Sequence, residues 1–319
     1  MTTDEITGDG PVVVGTDGSD GARQAVTWAA AEAAAMGRGL LLVRSARGRR
    51  PPPGTDLLAA PLAGPPTTED VILDARRSLD ALAADLRRQY PGTGVETALR
   101  DGPPEEALLA VAEDTDAAMI VLGASGSGAF ARLLLGSTAA EVARTAFRPV
   151  VVVRGPAPHP ANAGPVVLGV DGSDEESEAT GFAFAFAERH GLAVHAVHAW
   201  LNPALDTPLG TATGVGVPGH ALGPEEDELR AAATESVRRR LRPWAGRHPG
   251  VGLTHEVVAD LAAKALLDRS ADATLLVVGS HGGGELWRVL LGSVGHAVLY
   301  HADCPVAIVR APAKGGDQD

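Results

Sequence analysis

The chain repeats itself once, and that repeat limits the folds open to it. PVVVGTDGSD, from Pro11 to Asp20, returns as PVVLGVDGSD, from Pro165 to Asp174. MIVLGASGSGAFARLLLGST (Met119 to Thr138) returns as LLVVGSHGGGELWRVLLGSV (Leu275 to Val294), and RPVVVVR (Arg148 to Arg154) as CPVAIVR (Cys304 to Arg310). Order and spacing hold over about 150 residues, far beyond the roughly 20–50-residue period of a solenoid. The chain is therefore read as a duplicated domain, and its 319 residues suit two domains. The expected division is a first domain over 1–154, a linker over 155–164 (GPAPHPANAG), a second domain over 165–312 and a disordered tail over 313–319.

Each half carries five short apolar runs separated by stretches of helical composition. In the first half the runs are Val12 to Thr16, Leu40 to Ser45, Val95 to Leu99, Ala118 to Leu122 and Val150 to Val153. In the second they are Val166 to Val170, Ala193 to Ala199, Leu253 to Val258, Thr274 to Val278 and Val306 to Val309. The stretches between them predict helices over Gly21 to Met36, Glu69 to Tyr90, Glu105 to Asp114 and Ser137 to Phe147. Their counterparts are Ser177 to His190, Pro224 to Arg242, Ala262 to Ser270 and Ser293 to His301. Strands alternating with helices imply a parallel sheet covered on both faces, and near-continuous Val/Leu runs suit strands buried on both sides. Right-handed crossovers then give an α/β fold of two tandem doubly wound domains. Long Pro/Gly-rich loops are expected over 46–68 and 200–223.

Composition excludes several function classes. Lys plus Arg number 27 against 40 Asp plus Glu, a net charge of −13, which opposes binding to nucleic acid or anionic lipid. Lysine occurs only at Lys264 and Lys314, so no G-x-x-x-x-G-K-[ST] phosphate loop is possible. Cys304 is the single cysteine, which excludes a disulfide framework and a Cys-rich zinc site; before Pro305 it reads as a buried small residue. No stretch reaches ~18 apolar residues, and residues 1–20 do not resemble a signal peptide. A cytoplasmic location is expected. His190, His195 and His198 lie close in sequence, but residues 195 and 198 of a strand face opposite ways, against a metal site.

In open α/β sheets, ligands bind beyond the carboxyl ends of the strands, where strand order reverses. The most strongly repeated residues fall there. Asp17-Gly18-Ser19 and Asp171-Gly172-Ser173 follow the first strand of each half. After the fourth strand comes G-x2-G-x9-G-S, as Gly123, Gly126, Gly136 and Ser137, and again as Gly279, Gly282, Gly292 and Ser293. Glycine lets backbone approach a ligand, and a helix N-terminus offers unpaired N–H groups and a positive dipole end to phosphate. Ser137 and Thr138 can add hydroxyl donors, and Thr138 with Glu141 reads as a capping box. Asp-Gly-Ser is also ordinary turn chemistry, and Arg132 and Arg288 can serve phosphate or simply face solvent.

Together these motifs resemble the universal stress protein family, over nearly the whole chain and twice over. The G-x2-G-x9-G-[ST] pattern is the mark of that family's ATP-binding branch. The resemblance implies a five-stranded parallel sheet per domain, of the adenine nucleotide alpha hydrolase-like kind. It also implies ATP, or ADP or AMP, with Mg2+, in the crevice between the first and fourth strands. By position, Thr16, Asp17 and Ser45 would line adenine and ribose, Leu122 and Gly123 the ribose, and Gly126, Gly136, Ser137 and Thr138 the phosphates. In the second half these become Val170, Asp171, Ala199, Val278, Gly279, Gly282, Gly292, Ser293 and Val294. Ser125 and His281 stand where many relatives carry Arg, and Asp260-Leu261-Ala262 replaces Asp101-Gly102-Pro103, which would weaken the second site. The resemblance further implies an intrachain pseudo-dimer through the fifth strands, a homodimer, and a stress regulator with an unidentified protein partner. No catalytic constellation is visible and no metal ligand set is assigned; a slow ATPase and a ligand-free scaffold are the alternatives. A dinucleotide oxidoreductase fits poorly, because Ala131 stands where G-x-G-x-x-G needs its third glycine.

Overall fold

A computed structural model describes residues 8–46, 68–124, 135–154, 164–171, 178–200, 224–280 and 291–310. The chain divides into two compact units, one from Thr7 to Arg154 and the other holding the residues from Gly155 onward. The first contains β1 (Val12–Gly15), α1 (Asp20–Met36), β2 (Leu40–Ser45), α2 (Thr68–Gln89), β3 (Val95–Arg100), α3 (Pro104–Asp114), β4 (Met119–Gly123), α4 (Ser137–Thr145) and β5 (Val150–Val153). The second contains β6 (Val166–Gly169), α5 (Glu178–His190), β7 (Val194–Ala199), α6 (Pro224–Arg247), β8 (Leu253–Val258), α7 (Ala262–Ser270), β9 (Leu275–Gly279), α8 (Ser293–His301) and β10 (Val306–Val309).

In the first unit the sheet order is β3-β2-β1-β4-β5, every pairing parallel. The second repeats it as β8-β7-β6-β9-β10, again parallel throughout. Order reverses between β1 and β4, and between β6 and β9, which opens a crevice at the carboxyl ends of each pair. Val12, Val13, Val14, Met119, Ile120 and Val121 are almost wholly buried, as their counterparts are in β6 and β9. The buried residues of α1 are mostly alanine, Ala22, Ala25, Ala29, Ala30 and Ala33, with Val26, Trp28 and Glu32. Its counterpart α5 buries Phe182, Phe184 and Phe186 among alanines.

Local signals explain the helix limits. Ser19 caps α1 by accepting from the Ala22 amide at 3.2 Å. Gly37 ends it at φ +65, donating back to Ala34. Two limits differ from the sequence expectation by more than one residue. Helix α4 stops at Thr145 rather than Phe147, because Ala146 turns extended and Phe147 projects into solvent at 83% exposure. Helix α6 runs past Arg242 and through Pro243 to Arg247, because Leu241 and Trp244 on either side are buried. Trp244 lies over Phe184 of α5 with centroids 6.4 Å apart. Of the expected linker, Gly164 is described: its carbonyl accepts from the Thr274 hydroxyl at 2.8 Å. The rest of the linker, the tail over 313–319 and nearly all of both long loops lie outside the described residues. Among the described residues no helix is long and apolar enough to cross a membrane.

Candidate functional site

In the first half the rim begins where β1 ends. The Thr16 amide extends the ladder to Val43 O (2.9 Å), and its buried hydroxyl oxygen accepts from the Gly18 amide (3.3 Å). Gly18 sits at φ +82, where a side chain would be strained. Asp17 is exposed; its Oδ1 accepts from the Ser19 amide at 2.9 Å. Asp17 therefore shapes the turn with one oxygen, while no described residue bonds the other. Ser45 is committed too: its hydroxyl donates to the Gly102 carbonyl at 2.6 Å, tying β2 to the loop before α3.

The fourth strand supplies the other wall. The Leu122 side chain points into the core, where it fills the space beside Gly15. At Gly123 a Cβ would lie 2.6 Å from the backbone of Gly21, so glycine is required by the close approach of α1. The chain leaves the sheet at Ala124 and returns at Gly136, whose amide donates to the Ala124 carbonyl at 2.7 Å. This bond holds the start of α4 against the end of β4. Gly136 is the N-cap, and no side chain caps the helix. The first intrahelical bond runs from Ala140 N to Gly136 O, so the amides of Ser137, Thr138 and Ala139 have no partner within the helix. The capping box expected from Thr138 and Glu141 is not formed. Thr138 lies inside the helix rather than at its cap, and Glu141 bonds Arg144 instead.

The second half repeats this frame with different rim chemistry. The Val170 amide bonds Val197 O, Val278 packs beside Gly169, and Asp171 and Gly279 are exposed. The Gly292 amide donates to Ser280 O at 3.1 Å and starts α8, again with no side-chain cap. Ser293 is exposed and Val294 half-buried in its first turn. Ala199 replaces Ser45, so the tie to the next loop is absent. There Leu261 is 58% exposed, and Asp260 is held by Lys264 and by the Leu261 amide. Lys264 is the larger influence keeping the Asp260 carboxyl below its ordinary value, so the acid stays ionised. Gly126, Gly282, Ser125, His281, Arg132 and Arg288 lie outside the described residues, as do Gly172 and Ser173.

Two residues at this rim were given no ligand role from sequence. His198 bonds the Val170 carbonyl through Nδ1 at 2.7 Å, and the buried Nε1 of Trp200 has no hydrogen-bond partner among the described residues. Their place, just before the long loop, was the available signal. The three neighbouring histidines take separate partners: His190 packs on Phe186, His195 bonds Thr254 and Glu256, and His198 bonds Val170. Among the described residues no group of three His, Cys, Asp or Glu could hold a metal. A cleft of about 680 Å³ lies at the opposite end of the first sheet, lined by Asp9, Arg38, Leu40, Gly94 and Glu96. It sits at the amino ends of the strands, away from the reversal in strand order.

Known proteins share this arrangement. The profile of the universal stress protein family matches residues 10–154 and again 163–310. Universal stress protein Rv2005c of Mycobacterium tuberculosis is 36% identical over 307 residues, covering 94% of this chain and 96% of its own. Universal stress protein Rv2623 of the same organism is 35% identical over 311 residues, at the same coverage. A solved universal stress protein from Archaeoglobus fulgidus matches with a TM-score of 0.64, over 94% of this chain and 98% of its own; at 15% identity it speaks for the fold alone. The chain belongs to the universal stress protein family, as a tandem member with one family domain in each half.

Proposed function

We propose that each half binds an adenine nucleotide, ATP in the first instance, at the carboxyl ends of its first and fourth strands. Occupancy would modulate conformation or the affinity for a protein partner, in a regulator rather than an enzyme. One observation carries this reading. Both halves set a helix start without a side-chain cap against the end of the fourth strand, through Gly136 N to Ala124 O and Gly292 N to Ser280 O. Unpaired amides and a positive dipole end in a crevice are what a phosphate needs. Asp17 and Asp171, exposed at the facing rim, have the chemistry to accept from ribose hydroxyls. The side chains of Leu122 and Val278 are spent on packing, so only their backbone is available to the sugar.

Magnesium fits this reading as a companion of the phosphates. It prefers hard oxygen ligands and is commonly held by one or two carboxylates together with substrate phosphates, without a protein cage. Asp17 and the Ser137 hydroxyl offer such oxygens in the first half, and Asp171 and Ser293 in the second. The ion would neutralise phosphate charge. The duplicated family match also supports an intrachain pseudo-dimer, and a cytoplasmic homodimer is part of the same proposal.

The test is direct. Protein purified without added nucleotide is denatured, and released small molecules are identified and counted by mass spectrometry. A titration with ATP and magnesium follows. One adenine nucleotide per half is expected. Recovery of ADP would favour a slow ATPase instead. Absence of binding in both measurements would favour a ligand-free scaffold and overturn the proposal.

A further inference from the structure

Helix α6 is docked by its second half only. Val237, Leu241, Trp244 and His248 are buried, at the i, i+4, i+7 and i+11 spacing of a single stripe. Before Val237 no described residue of the helix is buried. Asp227 to Ala232 are exposed in succession, Leu229 at 55%, and six residues go more than once around a helix. The face turned away from the buried stripe carries a charge pattern. Glu228, Ala232, Glu235, Arg239 and Arg242 recur at i, i+4, i+7, i+11 and i+14, all exposed, with Ala231 beside Ala232. Glu235 is matched within the helix by Arg238 at 3.3 Å. Glu228 and Arg242 have no partner among the described residues. One end of this face is thus acidic, its middle is alanine, and its other end is basic. The first half lacks the pattern. Helix α2 ends as far before β3 as α6 does before β8, and in that register Ala81 and Ala84 stand where α6 carries Arg239 and Arg242.

We infer that α6 is a self-association surface, on which a second copy of this chain lays its own α6 antiparallel about a two-fold axis. An isologous contact needs one patch that complements itself. Reversing the direction of the second helix puts Glu228 of each copy opposite the Arg239–Arg242 turn of the other, so the same charge contact forms twice. Ala231 and Ala232 then lie near the crossing, where small side chains let the two helix axes come together. A uniformly acidic partner would suit the arginines and repel Glu228, and a uniformly basic one would do the reverse. A copy of the same chain satisfies both ends. The inference names the surface of the homodimer proposed above and rests on that homodimer, not on the nucleotide.

The experiment uses the full chain and measures dimerisation by sedimentation equilibrium. Glu228→Arg places arginine at both ends of the face, and the double variant Arg239→Glu, Arg242→Glu places glutamate at both. Each is expected to weaken its own dimer roughly 10–100-fold, since like charges then face one another at two symmetric places. An equal mixture of the two variants is expected to recover association as a heterodimer, because every facing pair is again opposite in sign. All three positions are exposed, so the thermal midpoint stays at that of the parent. Variants that dimerise as the parent does overturn the inference and leave the homodimer to another surface. Variants that dissociate and fail to recombine overturn it in favour of a disturbed helix. A parent chain that stays monomeric overturns both the inference and the homodimer, and leaves the nucleotide reading standing.

Discussion

Asp17 fills the turn role that sequence inspection sets against ligand binding, and needs only one of its oxygens to do so. One carboxylate oxygen closes the turn onto the Ser19 amide, and the other faces outward without a described partner. Turn chemistry thus fixes the orientation that ligand binding would exploit. Cys304 has a single role: burial pushes its thiol up to about 12, so it remains protonated and packs as a small apolar group. Glu256 shows charge contributing to stability away from the rim. Its carboxyl is held below the ordinary 4.5 chiefly by hydrogen bonding to Arg269, against partial burial, with His195 adding to the effect. A lowered carboxyl contributes stability that is present above the unfolded value and drains as pH falls through the folded one. Glu256→Gln should therefore cost about 1 kcal/mol at neutral pH, a modest figure because the pair is partly exposed. The gap from the parent should close as pH drops below 4.5, where both folded and unfolded carboxyls take up protons. Urea unfolding of both proteins at neutral and acid pH measures this, and a gap that persists in acid refutes the assignment. The rim was legible at Asp17, Gly136 and Ser137, because spacing alone marks a turn and a helix start. It was not legible at His198, whose bond to the Val170 carbonyl crosses from one strand to the next and leaves no trace in local sequence.

Elements were more legible than single roles. The limits of β2, β8, α7, α8 and β10 coincide with those expected; β2, β8 and α8 each begin directly after a glycine, Gly39, Gly252 and Gly292, and β10 directly after Pro305. The Gly-Pro pairs that open β1 and β6 have a sharper reason than punctuation. A Cβ on Gly10 would lie 1.9 Å from Thr115 O, and one on Gly164 would lie 1.6 Å from Asp272 O. The turn after α3 or α7 is packed directly on the incoming chain. The expectation failed where packing overrode local preference, as in α6. Pro243 removes an amide donor and crowds the preceding turn, yet the helix continues because Trp244 must reach Phe184. Pro243→Ala should restore the missing bond and stabilise the second half by about 1–3 kcal/mol, less the entropy that proline removes from the unfolded chain. A raised midpoint for the second half in thermal unfolding is the expected result. An unchanged or lowered midpoint would mean that Pro243 itself is needed to seat Trp244.

At the scale of the molecule, the field and the local sites oppose one another. A net charge of −13 repels an approaching nucleotide over distances comparable to the protein itself. The starts of α4 and α8 attract it only within about a turn of helix, since a macrodipole acts through its end groups. Salt does not screen the two equally. At about 0.1 M the Debye length is ~10 Å, so long-range repulsion fades while contact with the helix amides survives. The association rate of ATP should therefore rise with ionic strength, the reverse of proteins that capture nucleotides with a basic surface. Magnesium should raise it further by lowering the charge of the ligand. Stopped-flow binding at low and physiological salt, with and without magnesium, measures both effects. A rate that falls steeply with salt would require a concentrated positive patch at the entrance and would move the binding role from backbone dipoles to arginine. A rate that rises would assign recognition of the anion to the uncapped helix starts, which the duplicated Gly-Ser motif sets at the same place in both halves.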